Sequence, residues 1–180
     1  MDMYTLKFTK LQRGILRFLF IKSKSFNLRG IARPLQVSLT AVSKALKGLQ
    51  HENLVLVEKD PDSKRLSIEL NKENPEVFFL KRIDNIKLLY ESQFVHFLSE
   101  KFPTATIILF GSYAFGEDTY DSDIDVAIIG SKEKNVDILK FERLLEHEIV
   151  LHFYDSFKNM DKNLKSNILN GITLDGAVEL

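Results

Sequence analysis

The residues that could do chemistry lie close together in the second half of this 180-residue chain. Asp121-Ser122-Asp123-Ile124-Asp125 opens the apolar run Val126-Ala127-Ile128-Ile129, which predicts a buried strand. Alternate residues of a strand share a face, so Asp123 and Asp125 are expected to project together while Ile124 faces the core. Two like charges held side by side repel each other. A divalent cation is the usual way to neutralise such a pair, and hard oxygen ligands select Mg²⁺. Upstream, Thr104-Ala105-Thr106-Ile107-Ile108-Leu109-Phe110 predicts a second buried strand, ending at Gly111-Ser112. Glycine lets a backbone N–H approach a phosphate closely, and a bend leading into a helix offers free donors to an anion. The Ser112 hydroxyl adds another donor. An anion cradle beside a cation holder is what a Mg²⁺–triphosphate complex needs.

Neither fragment is specific alone, since acidic turns and Gly-Ser pairs are common. The combination LFGSYAFGEDTYDSDIDVAII is more specific, and it resembles the signature of the polymerase-β-like nucleotidyltransferase superfamily, particularly its minimal members. The resemblance covers about residues 90–180. It implies a small mixed sheet flanked by helices, with Mg²⁺ and a nucleoside triphosphate, ATP first among them, as cofactor and substrate. Asp123 and Asp125 match the catalytic, metal-holding pair, and Gly111 and Ser112 the triphosphate-binding positions. Such enzymes transfer a nucleoside monophosphate to a hydroxyl and release pyrophosphate, with two metals bridging the phosphates. Ser122 is expected to shape the turn.

The resemblance also implies a third carboxylate on a later strand. The matching segment is Glu148-Ile149-Val150-Leu151-His152-Phe153-Tyr154, and its registration puts Val150 at the acidic position. Glu148 and His152 share the face of Val150, and Asp155 follows. These three are the alternatives for the third ligand, each displaced by about 7 Å or more along the strand. Losing a metal-positioning carboxylate should slow chemistry severely and leave nucleotide binding partly intact.

The composition sets limits around this site. Hydrophobic residues at 44% and charged residues at 28% suit a soluble globular protein of one ordinary domain or two small ones. The absence of cysteine excludes disulfides and thiolate metal sites. Apolar runs such as Ile107–Phe110 are too short to cross a bilayer, so an intracellular, cytoplasmic protein with no membrane partner is expected. The zero net charge hides a division. Residues 1–102 hold 18 Lys+Arg against 11 Asp+Glu, a balance of +7, and residues 103–180 hold 7 against 14, a balance of −7. Two units with different partners are implied, the basic one suited to a polyanion and the acidic one to metal ions. Two oppositely charged solvated surfaces are the alternative.

The elements ahead of the site read as a second domain. Leu11–Ile21 is apolar enough for a buried helix. Asn27 can cap a short second helix, and Ser38 a third that carries Val42, Ala45, Leu46 and Leu49 on one face. Leu54–Val57, the turn Lys59–Lys64 and Arg65–Leu70 predict a hairpin. Three helices and a hairpin, with FNLRGIARPLQVSLTAVSKALKGLQHENLV between them, resemble a winged helix-turn-helix regulator over roughly residues 10–70. Pro34 disfavours helix at Arg33, and Gln36 stands where such turns often have Gly, which predicts a distorted turn. Thr40, Ser43, Lys44 and Lys47 project away from the apolar stripe of the third helix, where base edges and phosphates would be met. Lys64 and Arg65 on the wing could reach the DNA backbone. A solvated helix face in a protein-docking domain is the alternative.

The expected fold is therefore α+β: a winged helix at 1–75, one connecting helix at 76–102 and a nucleotidyltransferase fold at 103–180. The connecting helix is read from Phe79, Leu80, Ile83, Ile86, Tyr90, Phe94, Phe97 and Leu98. Its heptads are too few for a coiled coil. The expected function is transfer of a nucleoside monophosphate from Mg–NTP to a hydroxyl, coupled to double-stranded DNA binding. The alternatives are an inactive nucleotidyltransferase-fold regulator and an antitoxin-like protein that binds a protein partner. A homodimer is open.

Overall fold

The structure is a computed structural model and describes residues 8–59, 65–158 and 160–179. Its contacts divide the chain into two units, Met1–Val77 and Phe78–Leu180. In the first unit, helix α1 (Lys10–Lys22) starts at a capping box between Thr9 and Gln12 and buries Ile15, Leu16, Leu19 and Phe20. Helix α2 (Leu28–Ala32) is capped by Asn27, whose side chain accepts from the Gly30 N–H at 2.8 Å. It ends two residues before Pro34, although Arg33 keeps helical angles. Helix α3 (Leu39–His51) is capped by Ser38, which accepts from the Ala41 N–H at 3.1 Å, and buries Val42, Leu46 and Leu49.

Gln36 does not distort the turn between α2 and α3. It adopts φ 53°, the left-handed conformation a glycine would take, and Val37 N–H closes the turn onto the Ala32 carbonyl at 3.1 Å. A side chain there costs about 1–2 kcal/mol, which this turn tolerates. Strands β1 (Val55–Lys59) and β2 (Leu66–Leu70) pair antiparallel, Val55 opposite Leu70 and Lys59 opposite Leu66, and Phe26 bridges to Ile68. Three helices and this hairpin make a winged helix. Its expected turn, beyond Lys59, lies outside the described residues, as does Lys64.

The helix after the hairpin departs from expectation twice. It is not one helix but two, α4 (Pro75–Glu91) and α5 (Phe94–Lys101). The break falls at Gln93, which takes φ 64°, while the Ser92 hydroxyl donates to the Leu89 carbonyl at 3.0 Å. The bend turns Phe94, Val95 and Leu98 into the core below the sheet. The buried side of α4 also differs from the apolar pattern. Lys81 and Asn85 are buried with Val77, Leu88 and Leu89, and Phe79 and Ile83 are exposed.

Strand β3 (Thr106–Phe110) leads into a short helix α6 (Gly111–Phe115), then strand β4 (Ile124–Ile129), helix α7 (Leu139–Leu145), strand β5 (Ile149–Tyr154), helix α8 (Lys162–Leu169) and strand β6 (Ile172–Asp175). The sheet order is β5-β4-β3-β6, with β4 and β5 parallel and the other pairs antiparallel, the small mixed sheet that was expected. One face packs Ile107, Leu109, Ile124, Val126 and Ile128 against α5 and α7, where Phe141 meets Phe94 and Phe97 at centroid distances of 5.1 and 5.0 Å. The other face packs Ile108, Phe110, Ala127 and Ile129 against Phe157 and the Ile168 side of α8.

Candidate functional site

The end of β3 and the starts of β4 and β5 meet at one end of the sheet. Phe110 is paired with Asp125, so the turn at Gly111 falls directly beside that carboxylate. Gly111 has φ 72°, and a Cβ placed on it would lie 2.6 Å from Asp125 Oδ2. Only glycine fits both the conformation and the space. Asp125 shares its face with Phe110 and Ala127, opposite Ile124 and Val126, as the alternation requires. Asp123 stands one residue ahead of β4 and is exposed.

Across the parallel pair, Asp125 lies opposite Val150. The expected acidic position is therefore valine. The three alternatives are scattered. His152 sits opposite Ala127, one pleat on, yet its Nε2 reaches Asp125 Oδ1 at 2.9 Å. Its ring is held edge-on by Phe110 at a centroid distance of 5.2 Å. The expected displacement of His152 is thus a displacement of its backbone alone. Glu148, just before β5, does not reach Asp125's strand position: its carbonyl takes the Ile124 N–H at 2.8 Å, and its side chain lines a cleft of about 560 Å³ together with Asp123, Glu142 and Arg143. Asp155 lies past the far end of β5, in a different recess with Thr106 and Gly130. Five residues separate it from Val150, roughly 16 Å of strand, so it stands away from Asp125. Among the described residues, no three acidic or imidazole groups converge as a metal-holding set.

The electrostatics mark the same carboxylate. Burial pushes the Tyr154 hydroxyl above its ordinary pKa, and the charge of Asp125 pushes it further. The Thr119 hydroxyl donates to Asp121 and holds that exposed carboxyl below its usual value. Ser122 shapes the turn: its hydroxyl accepts the Thr119 N–H at 2.9 Å.

A group that sequence reasoning missed anchors this loop. Lys81 Nζ on α4 lies 3.0 Å from Asp118 Oδ2, with side chains 4% and 1% exposed, and it also donates to the Asp118 carbonyl. Asn85 donates to Asp118 Oδ1 at 2.8 Å and to the Tyr113 carbonyl at 3.0 Å. His147, buried, meets the Ser122 carbonyl through Nδ1 at 2.8 Å. Helix α4 thus holds the segment between the Gly111 turn and Asp123 at Tyr113 and Asp118. The available signal was the phase of Val77, Lys81, Asn85 and Leu88, which places two polar residues on a face that closes with apolar ones.

On the first unit, Thr40, Lys44 and Lys47 are exposed along α3, and Ser43 is half-buried, on the side away from Val42, Leu46 and Leu49. Arg65 is exposed at the foot of β2 and borders a recess of about 770 Å³ with Arg29 and Lys59, two cations the sequence reading did not single out.

Comparison with known proteins bears on these two units separately. Residues 91–174 match the family model described as nucleotidyltransferase domain. This stretch is a nucleotidyltransferase domain. No curated protein matches the chain. The solved structures that resemble it match the N-terminal region and are winged-helix regulators. AdcR of Streptococcus pyogenes is 28% identical, with TM-score 0.35, over 39% of this chain and 52% of its own. A mutant ZitR of Lactococcus lactis is 27% identical, with TM-score 0.42, over 57% of this chain and 67% of its own. MepR of S. aureus, in its complex with DNA, is 22% identical, with TM-score 0.37, over 52% of this chain and 81% of its own. This chain spans about half the length of the first of these. Among the described residues no helix is long and apolar enough to cross a membrane.

Proposed function

We propose that the nucleotidyltransferase domain holds a Mg²⁺–nucleoside triphosphate and transfers its nucleotide poorly, in a chain whose winged helix binds double-stranded DNA. The observation that carries the reading is the pair of neighbours of Asp125: Gly111, which leaves no room for a Cβ, on one side and Val150 on the other. Gly111, Ser112, Asp123 and Asp125 are a donor set of backbone N–H, hydroxyl and hard oxygens that fits one Mg²⁺ carried in on a triphosphate. Mg²⁺ would neutralise the phosphate charge there. Valine supplies no ligand for a second, activating ion. ATP is the first nucleotide to test.

Calorimetric titration with nucleotides and Mg²⁺ tests this site. The native chain binds, and Asp123→Ala/Asp125→Ala loses at least about tenfold in affinity. Undiminished binding by that variant removes the assignment. A second reading, transfer of a nucleoside monophosphate to a hydroxyl on a protein or small molecule, is favoured by the His152–Asp125 contact, since an imidazole so placed can stand in for the missing carboxylate. Radiolabel from the nucleotide appearing covalently on any acceptor, and lost in D123A/D125A, decides for it.

For the winged helix, the exposed Lys44 and Lys47 with Arg65, Arg29 and Lys59 support contact with phosphates, and Thr40 and Ser43 stand where base edges are read. Lys44→Ala/Lys47→Ala should weaken duplex binding and lower the slope of log affinity against log salt by about two. A native chain whose duplex binding ignores salt would exclude DNA as the partner of this face.

A further inference from the structure

The buried side of helix α4 holds two polar residues among its apolar ones, and the exposed side carries an apolar row. Lys81 and Asn85 face inward, satisfied by Asp118 and the Tyr113 carbonyl. Outward, Phe79 and Ile83 are each 63% exposed and Tyr90 48%, with Ile86 half-buried between them. These four recur at steps of four, three and four residues, so they form one stripe down the helix. Single exposed apolar residues need no explanation, but a contiguous row of four, including two aromatic rings, marks a contact surface.

We infer that this stripe is the surface on which two copies of the chain pair, α4 against α4 and antiparallel. The charges beside it select that occupant. Glu76 and Lys87 lie on the same flank of the stripe, three helical turns apart. Setting Phe79 of each copy against Ile83 of the other brings Glu76 level with Lys87 of the other to within about 1.5 Å of axial rise, and two-fold symmetry makes the match twice. Parallel pairing about a two-fold would carry the Glu76 and Lys87 of the two copies to opposite sides of the seam and leave them without this match. Lys87 already leans to Glu91 at 3.5 Å, but both side chains are more than half exposed, so that pair is weak enough to share the lysine. The flanks carry Glu76, Arg82, Lys87 and Glu91, two charges of each sign, which suits a self-complementary surface and not a membrane or a nucleic acid.

Sedimentation equilibrium of the full chain from about 1 to about 100 µM tests the pairing. The expected result is a reversible dimer. Phe79→Glu/Ile83→Glu should weaken it by about a hundredfold or more, with unchanged circular dichroism and melting because both residues face water in the single chain. Glu76→Lys and Lys87→Glu should each weaken it about fivefold, and the two together should restore native affinity. A chain that stays monomeric across the range overturns the inference, as does a dimer indifferent to F79E/I83E. A double charge swap no better than either single swap overturns the antiparallel arrangement.

Discussion

Replacing Lys81 by methionine will lower the melting temperature of the C-terminal unit by an amount on the order of 15 °C. Lys81 and Asp118 are both almost wholly buried and lie 3.0 Å apart. A buried pair adds little net stability, because removing two charges from water costs about what their attraction returns. Deleting one partner is different: it strips the lysine's charge from a carboxylate buried beside the Asn85 amide and the His147 imidazole, at about 3–5 kcal/mol. That is a large fraction of the stability of a domain this size. The double variant Lys81→Met/Asp118→Leu should recover most of the loss, since no charge is then stranded. Differential scanning calorimetry of the three proteins checks both statements. A single variant that melts within a few degrees of the native chain would show that Lys81 is not what neutralises Asp118. Because Asp118 lies in the segment between Gly111 and Asp123, the same variant should lose nucleotide affinity below its melting transition.

Gly111→Ala should do the reverse, abolishing most nucleotide binding while costing little stability. The added methyl meets Asp125 Oδ2 at 2.6 Å, and a carboxylate is the mobile end of its side chain. It can swing away cheaply, so the fold survives. The left-handed φ adds about 1 kcal/mol of strain. What is lost is the position of the ligand, and a carboxylate turned out of place forfeits roughly ten- to a hundredfold in affinity. Gly130→Ala is the matched control. Its φ is 86°, but the nearest atom to its Cβ is 4.0 Å away, so it carries the strain without the collision. Titration calorimetry and thermal melts of both variants separate the two effects. Equal nucleotide binding by the native chain and Gly111→Ala would remove the turn from the site.

The two ends of the chain were legible in the sequence for different reasons. The strands around the site are short runs of apolar and β-branched residues bounded by Gly111 and by Asp121–Asp123, so their extent and the paired Val150 position could be read from period and spacing. The caps Asn27 and Ser38 announced α2 and α3 by side-chain chemistry that acts within three residues. What could not be read depended on distant partners. Lys81 and Asn85 are polar, and nothing local says that Asp118, more than thirty residues on, will accept their donors. The connecting helix is read from Phe79, Ile83 and their apolar companions, and the structure turns those two outward while it buries Lys81 and Asn85. The break at Gln93 has no Gly or Pro to announce it. It follows from the need to turn Phe94 and Leu98 under the sheet. The reach of His152 to Asp125 runs between two strands twenty-seven residues apart in sequence, which no local pattern announces.

The sheet order gives the site an uneven footing. Gly111 follows directly on β3 and Asp125 lies in β4, strands each held by a neighbour on both sides, whereas His152 belongs to β5, an outer strand with one. Outer strands fray first, by local opening that leaves the middle of a sheet paired. When β5 opens, Asp125 is released from its imidazole while the bend beside it stays in place. The grip on the carboxylate and the ground it stands on therefore have different lifetimes.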